Sequence, residues 1–241
     1  MKINAGLTYY DEINKKIRST RDKKVEVDNC LGQRYIGCGI SGKELTVVGT
    51  PGNALGAYLN GGNVTVYGNA QDATGDTMND GTIAIHGSSG DATGYAMRGG
   101  KIFVKGDVGY RAGIHMKAYK DKIPVLVVGG KAGSFLGEYQ AGGYIIVLGI
   151  GYEDRKTVVE RFCATGMHGG KIFLRCDELP FDLPPQVTAR KATKKDLSEI
   201  EEYISEYIDK FGGDKNVIMK KNFFVLTPDS KNPYKQFYTP C

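Results

Sequence analysis

The sequence predicts an all-β chain: a single-stranded parallel β-helix of about seven 19-residue rungs, with an N-terminal cap helix and a partly helical C-terminal extension. Three observations carry that reading. Glycine makes up 34 of the 241 residues, about twice its usual share of roughly 7 %. The glycines recur at a fixed interval: Gly49, Gly68, Gly87 and Gly106 are spaced by 19, and so are Gly37, Gly56, Gly75, Gly94 and Gly113. Two aliphatic columns run through the same rows two residues apart, which puts both on one face.

Stacked as rows, the segments read "GTPGNALGAYLNGGNVTVY", "GNAQDATGDTMNDGTIAIH" and "GSSGDATGYAMRGGKIFVK". The next row, "GDVGYRAGIHMKAYKDKIPVLVV", reads as carrying four extra residues, and another begins at Gly130 with Gly137 at its centre. A degenerate row starts at Cys30 and a late one ends in "CATGMHGGKIFLR". Each row closes on a strand too short to be stable alone, so it must pair with the rows on either side at about 4.8 Å. Glycine supplies corners of positive φ and lets backbone lie on backbone.

One column reads Leu45, Val64, Ile83, Ile102, Val125, Ile145, Ile172, and the other Val47, Val66, Ile85, Val104, Val127, Val147, Leu174. Both are assigned to the interior. The positions between them are Thr46, Thr65 and Ala84, then Phe103, Leu126, Ile146 and Phe173. An outer stripe of large apolar residues needs a cover. The C-terminal segment or a partner is expected there, and a homo-oligomer through the stripe is a further expectation.

The chain divides into a cap (1–24), the repeat domain (25–176) and an extension (177–241). "TYYDEINKKIRS" predicts a short helix with Thr8 as N-cap and Asp11 completing a weak capping box. "ELPFDLPP" reads as an irregular exit. Leu197, Ile200, Ile204 and Ile208 lie at helical spacing before Gly212-Gly213, predicting a helix near 195–211. The final "TPDSKNPYKQFYTPC" reads as extended or loop-like.

Composition narrows the function classes. A formal charge of +5 with scattered basic residues is not the one-face basic patch of a nucleic-acid binder. Neither a secretory signal nor an apolar run of membrane-spanning length is read. The five cysteines, at 30, 38, 163, 176 and 241, form no C-x-x-C pair, which suits a reducing cytoplasm.

Chemistry-bearing motifs resolve into structural ones. "GDATGYAMRGGKIFVKG" approaches a phosphate loop through Gly94, Gly99 and Lys101. An extra Gly100 and the Ile102 in place of Ser or Thr break the pattern, and the stretch is one row of the array. His86, His115 and His168 have no metal-ligand spacing. Met78, Met97 and Met116 share a column with Ile40 and Leu59, as interior packing does. Asp72 and Asp91 sit one rung apart, where turn capping is the expected role. Cys38 and Cys163 read as buried small residues. No catalytic, cofactor-binding or metal-binding residue is assigned.

The G-x-x-G-x-x-x-G rows "GTPGNALGAYLNGG" and "AGSFLGEYQAGGYIIVLG", closed by "ATGMHGG" and led by "DNCLGQRYIGCGISG", resemble the GXGXG domain at the C-terminus of the glutamate synthase large subunit, over roughly 25 to 176. One component of formylmethanofuran dehydrogenase carries a similar repeat. The resemblance, with the general rule for parallel crossovers, implies a right-handed β-helix. It implies a non-catalytic subunit bracing a glutamine amidotransferase and an FMN- and iron–sulfur-bearing synthase subunit, with no cofactor in this chain. A formylmethanofuran dehydrogenase-type component and a free-standing binding or regulatory protein are the alternatives. The extension is where a departure from the family is expected.

Overall fold

The computed structural model describes residues 1–229; residues 230–241 of the tail expected to be extended or loop-like, Cys241 among them, lie outside these. The described residues are mainly β, with one sheet of eleven strands in the order β1-β2-β3-β4-β5-β6-β7-β8-β9-β11-β10. Strands β1 (Lys2–Asn4) to β9 (Gly169–Leu174) are all parallel neighbours in chain order. The array starts two strands earlier than the glycine rows suggest. Neither β1 nor β2 (Lys24–Leu31) follows a glycine row, yet Val25 and Val27 pair with Leu45 and Val47 of β3 (Lys43–Thr50).

Row-on-row register puts Leu45, Val64, Ile83 and Ile102 in one fully buried column. At β7 (Val125–Val128) the predicted register is wrong by one residue. Ile102 pairs with Leu126 and Val104 with Val128, so Leu126 and Val128 face the interior, and Val125 and Val127 face out. The row between residues 102 and 126 therefore carries five extra residues rather than four. A one-residue slip exchanges the two faces of a strand, and an all-aliphatic "VLVV" gives no polar residue to betray it.

The array has to end, and each end borrows side chains to do so. Helix α1 (Tyr10–Ser19) buries Ile13 and Ile17 against the interior. It starts two residues past Thr8, and the cap position falls on Tyr9 with no side-chain capping bond. Thr8 instead closes a turn, its N–H donating to Ala5 O at 2.7 Å. The working polar residue of α1 is Asn14, buried on the inner face. Its Oδ1 accepts the Gly37 N–H at 3.1 Å, the bond that Gly56 N–H makes to Ile36 O one row later.

At the other end, β11 (Phe224–Pro228) folds back antiparallel onto β9, and β10 (Val187–Lys191) pairs with its far edge. The predicted helix near 195–211 is present in two pieces, α2 (Lys194–Ser198) and α3 (Glu201–Phe211), with α4 (Lys215–Lys220) after it. Gly212, at φ +82°, stops α3. Ile200, Ile204 and Tyr207 press onto Phe103, Val125, Val127, Ile146 and Phe173. The chain thus covers its own outer stripe, and that face is no longer free for a second copy. Lys101 with Glu206, and Lys171 with Glu199 at 2.6 Å, flank the contact. Such half-exposed pairs contribute little on balance, so the apolar contact holds the cover.

A polar latch fixes the start of α2. Asp196, 4 % exposed, accepts both Arg190 guanidinium N–H bonds at 2.7 and 2.9 Å and the Thr193 N–H at 2.8 Å. Arg190 first, and Thr193 after it, hold this carboxyl well below the usual carboxylate range. Its stabilisation is complete above the unfolded-state value near 4 and is lost as pH falls below that toward the depressed folded value. The thermal midpoint should therefore fall between about pH 5 and pH 2 more steeply in the native chain than in Asp196→Asn. Deleting everything after residue 183 should expose the stripe and raise hydrophobic-dye fluorescence; an unchanged signal would count against α3 as the cover.

Candidate functional site

The glycine-bearing turn is the feature the sequence singles out, and its backbone is unusual. In the row from Asn53 to Leu59, every second residue is left-handed: Ala54 at φ +63°, Gly56 at +62° and Tyr58 at +57°. The pattern repeats through Ala73, Gly75 and Thr77, then Ala92, Gly94 and Ala96. Inter-row bonds hold it: Ala54 and Tyr58 N–H donate to Asp72 and Asp76 O of the next row, each at 2.8 Å, while Gly56 N–H donates back to Ile36 O.

Positive φ therefore does not by itself select glycine here, because alanine, tyrosine, threonine and histidine adopt it beside each glycine. Space does. A Cβ on Gly56 would lie 2.7 Å from Ile83 Cδ1, and the same crowding meets Gly75 at Ile102, Gly113 at Ile145 and Gly137 at Ile172. Gly37 faces Leu45, and Gly94 faces the Met97 sulfur. The central glycine lies against the buried aliphatic column, whereas Tyr58, two residues on from Gly56, is exposed. In the last row Ala164, at φ +62°, stands in the glycine column, where no further row follows to crowd it.

The second series does different work. Gly49, Gly68, Gly87, Gly106 and Gly130 sit directly over the preceding row, where a Cβ would strike Cys30 O, Gly49 O, Asn69 Oδ1, Ser88 Oγ and Asp107 Oδ1 respectively. Gly106 N–H donates to Gly87 O, and Gly130 N–H to Gly106 O, both at 2.9 Å. The adjacent carboxylates join the ladder. Asp72 Oδ1 accepts Asp91 N–H at 2.9 Å and Asp91 Oδ1 accepts Tyr110 N–H at 2.8 Å, the capping role expected of them. Lys101 starts strand β6 (Lys101–Val104) and pairs with Glu206, so the phosphate-loop look of its row has no structural counterpart.

The remaining candidates scatter. His86 is half-buried, stacked on Tyr67 at 4.5 Å and edge-on to Phe211 at 5.0 Å; His115 lies in a separate stack with Tyr139 at 5.3 Å. Met78, Met97 and Met116 are fully buried. Among the described residues no three His, Cys, Asp or Glu side chains converge as metal ligands. Burial pushes the Cys176 thiol up to about 11 and the Cys163 thiol higher still, so both are poor nucleophiles. Cys163 is buried as expected, and Cys38 only half-buried.

Sequence reading missed several residues that matter. Gln140 occupies the interior methionine column, its Nε2 donating to Gly142 O and Gly143 O at 3.3 and 3.1 Å. Gly129 leaves room for Tyr207, whose hydroxyl donates to Lys105 O at 3.1 Å. Asp182 Oδ2 accepts the Phe162 N–H at 2.9 Å, where earlier rows use the next row's carbonyl. Asn14 and Gln140 did leave a signal: each is a polar residue on an otherwise apolar face or column.

Rows built this way, glycine beneath aliphatic and backbone over backbone, define a glycine-row repeat protein. The GXGXG motif family, the glutamate synthase C-terminal type of domain, matches residues 8–228, and the chain belongs to it. The match takes in α1 and the extension as far as residue 228. A protein of Methanocaldococcus jannaschii described as "Uncharacterized protein MJ1350" is 47 % identical over 250 residues, covering 99 % of this chain and 96 % of the relative. Among the described residues no helix is long and apolar enough to cross a membrane.

The glycine geometry makes a specific prediction. Gly56→Ala should cost about 1–3 kcal/mol through overpacking, and Ile83→Val, which deletes the clashing Cδ1, should recover part of that in the double variant. Denaturant unfolding of the four proteins measures the coupling; strict additivity would show that space at Gly56 is not what excludes a side chain.

Proposed function

We propose that the chain is a non-catalytic structural subunit of a glutamate synthase-type complex, which aminates 2-oxoglutarate reductively with ammonia drawn from glutamine. On this reading it is a right-handed parallel β-helix that braces a glutamine amidotransferase subunit and a synthase subunit. FMN and an iron–sulfur cluster would reside in the synthase subunit and carry the electrons. The family match over residues 8–228 supports this most strongly, since it spans nearly all of the given sequence. The β-helix reading is supported by a second parallel ladder outside the main strands, Ala70–Ser89–Val108–Ala132–Val159, and by the row-on-row bonding of the turn face.

What such a rod contributes is rigid surface. Its backbone groups are largely engaged between rows, while Tyr58, Tyr95, Tyr110 and Phe162 stand exposed along the uncovered turn face. Exposed aromatic residues of this kind suit protein contact. Purification of the tagged chain from its host under mild conditions tests the reading. Co-elution with flavin, iron and glutamine-dependent glutamate formation is the expected result. A molybdenum or tungsten pterin protein in their place would move the chain to a formylmethanofuran dehydrogenase-type complex.

A further inference from the structure

The turn face changes character along the array. Its ladder stacks Asn53, Asp72, Asp91, Tyr110, Ser134 and Arg161 in one column, each carbonyl accepting an N–H of the row before. Asp72 and Asp91 are exposed toward the early end, and Arg161 at the late end. The adjoining column reads Ala73, Ala92, Arg111, Phe135 and Phe162. Alanines therefore lie beside the aspartates, whereas two stacked phenylalanines, ring centroids 4.8 Å apart, lie on the side of Arg161. Phe162 is 44 % exposed, and Ala73, Ala92 and Phe135 are half-buried. Charge and side-chain size both reverse across the row of Tyr110.

A surface with those two gradients is complementary to its own copy turned end for end. A two-fold axis along the Tyr110 row, in the plane of the face, carries earlier rows onto later ones. Asp72 then meets Arg161, and Ala73 meets Phe162. One row nearer the axis, Asp91 meets Ser134 and Ala92 meets Phe135. Each meeting occurs twice, as an isologous contact requires. A pairing in the same direction would instead set the aspartate rows of one copy against those of the other. Arg111 lies on the axis row, but Glu138 neutralises it at 3.1 Å and its guanidinium lies 5.0 Å over the Tyr110 ring. The rows from Asp72 to Arg161 span about 19 Å at one strand spacing each. A face that small falls at the low end of specific interfaces. The aromatic rings supply affinity there, and the charges set orientation and register.

We propose that the turn face binds a second copy of this chain, antiparallel, in a weak two-fold dimer. The bracing role draws on the same surface, and a complex built on this chain would then hold it in pairs. The pairing itself needs only this chain, so it stands or falls apart from the identity of the complex.

Sedimentation velocity of the purified full chain, from about 1 μM to about 1 mM, tests the pairing. A reversible monomer–dimer equilibrium is expected, weaker at about 500 mM than at about 50 mM sodium chloride. Ala92→Phe should weaken dimerisation about tenfold or more, because it fills the space that Phe135 of the second copy enters. It should leave the thermal midpoint of the dilute monomer unchanged, since Phe135 and Phe162 hold the same left-handed backbone at φ +62° and +61°. Asp72→Arg and Arg161→Asp should each weaken it about tenfold or more by setting like charges together. Combining the two exchanges should restore it. A chain that stays monomeric throughout would overturn the pairing, as would a dimer that all three single variants leave unaltered. Co-elution with synthase subunits tests the bracing role separately, and neither sedimentation result decides it.

Discussion

The structure depends on one close approach, a glycine Cα beneath the aliphatic side chain of a following row. At Gly56 the nearest isoleucine methyl leaves no room for a Cβ, and the same contact recurs as far as Gly137 and Ile172. Because the contact joins different rows, it sets the stagger between them. The strand registers then follow, with Val64 on Ile83 and Ile83 on Ile102. Left-handed backbone on either side of the glycine is held by inter-row hydrogen bonds whose partners exist only once the rows are stacked. Local strain and long-range order therefore support each other, as in other repeat arrays where one unit cannot stand alone.

An array of this kind has no natural stopping point, and the terminal elements supply one. Asn14 takes the place of a missing earlier carbonyl beneath Gly37, and Asp182 that of a missing later one beyond Phe162. Strand β11 runs against the array and β10 runs back against β11, and a short, charged edge strand such as "VTARK" makes a poor template for further growth. Arg175, buried and held by the Leu148 and Ile218 carbonyls, ties α4 to the end of the sheet. The cover over Phe103 and Phe173 completes the burial. These devices account for a finite body built from a repeat that could in principle continue.

Functionally, the same construction points outward. The stacked carboxylates Asp72 and Asp91 are engaged in ladder bonds rather than poised as an acid–base pair, and the buried thiols are held protonated. The proposed role rests on surface, and Tyr58, Tyr95, Tyr110 and Phe162 stand exposed along the turn face. The bracing role we propose would need shape and rigidity more than reactive groups, which stacked glycine rows can supply.

The period of 19, the aliphatic columns and the need for a cover were all legible in the sequence, because each is a one-dimensional pattern imposed by a repeating contact. Gly56 and its equivalents were recognisable as special, although φ alone does not explain them. Tertiary structure decided the rest. The register of "VLVV" is invisible where all four residues are aliphatic, and only pairing with β6 and the seat of α3 show which two face in. Asn14 and Asp182 acquire their roles from backbone groups more than 18 residues away. Sequence patterns record what recurs along a chain; terminations, caps and covers occur once, and their partners are chosen only when the chain has folded.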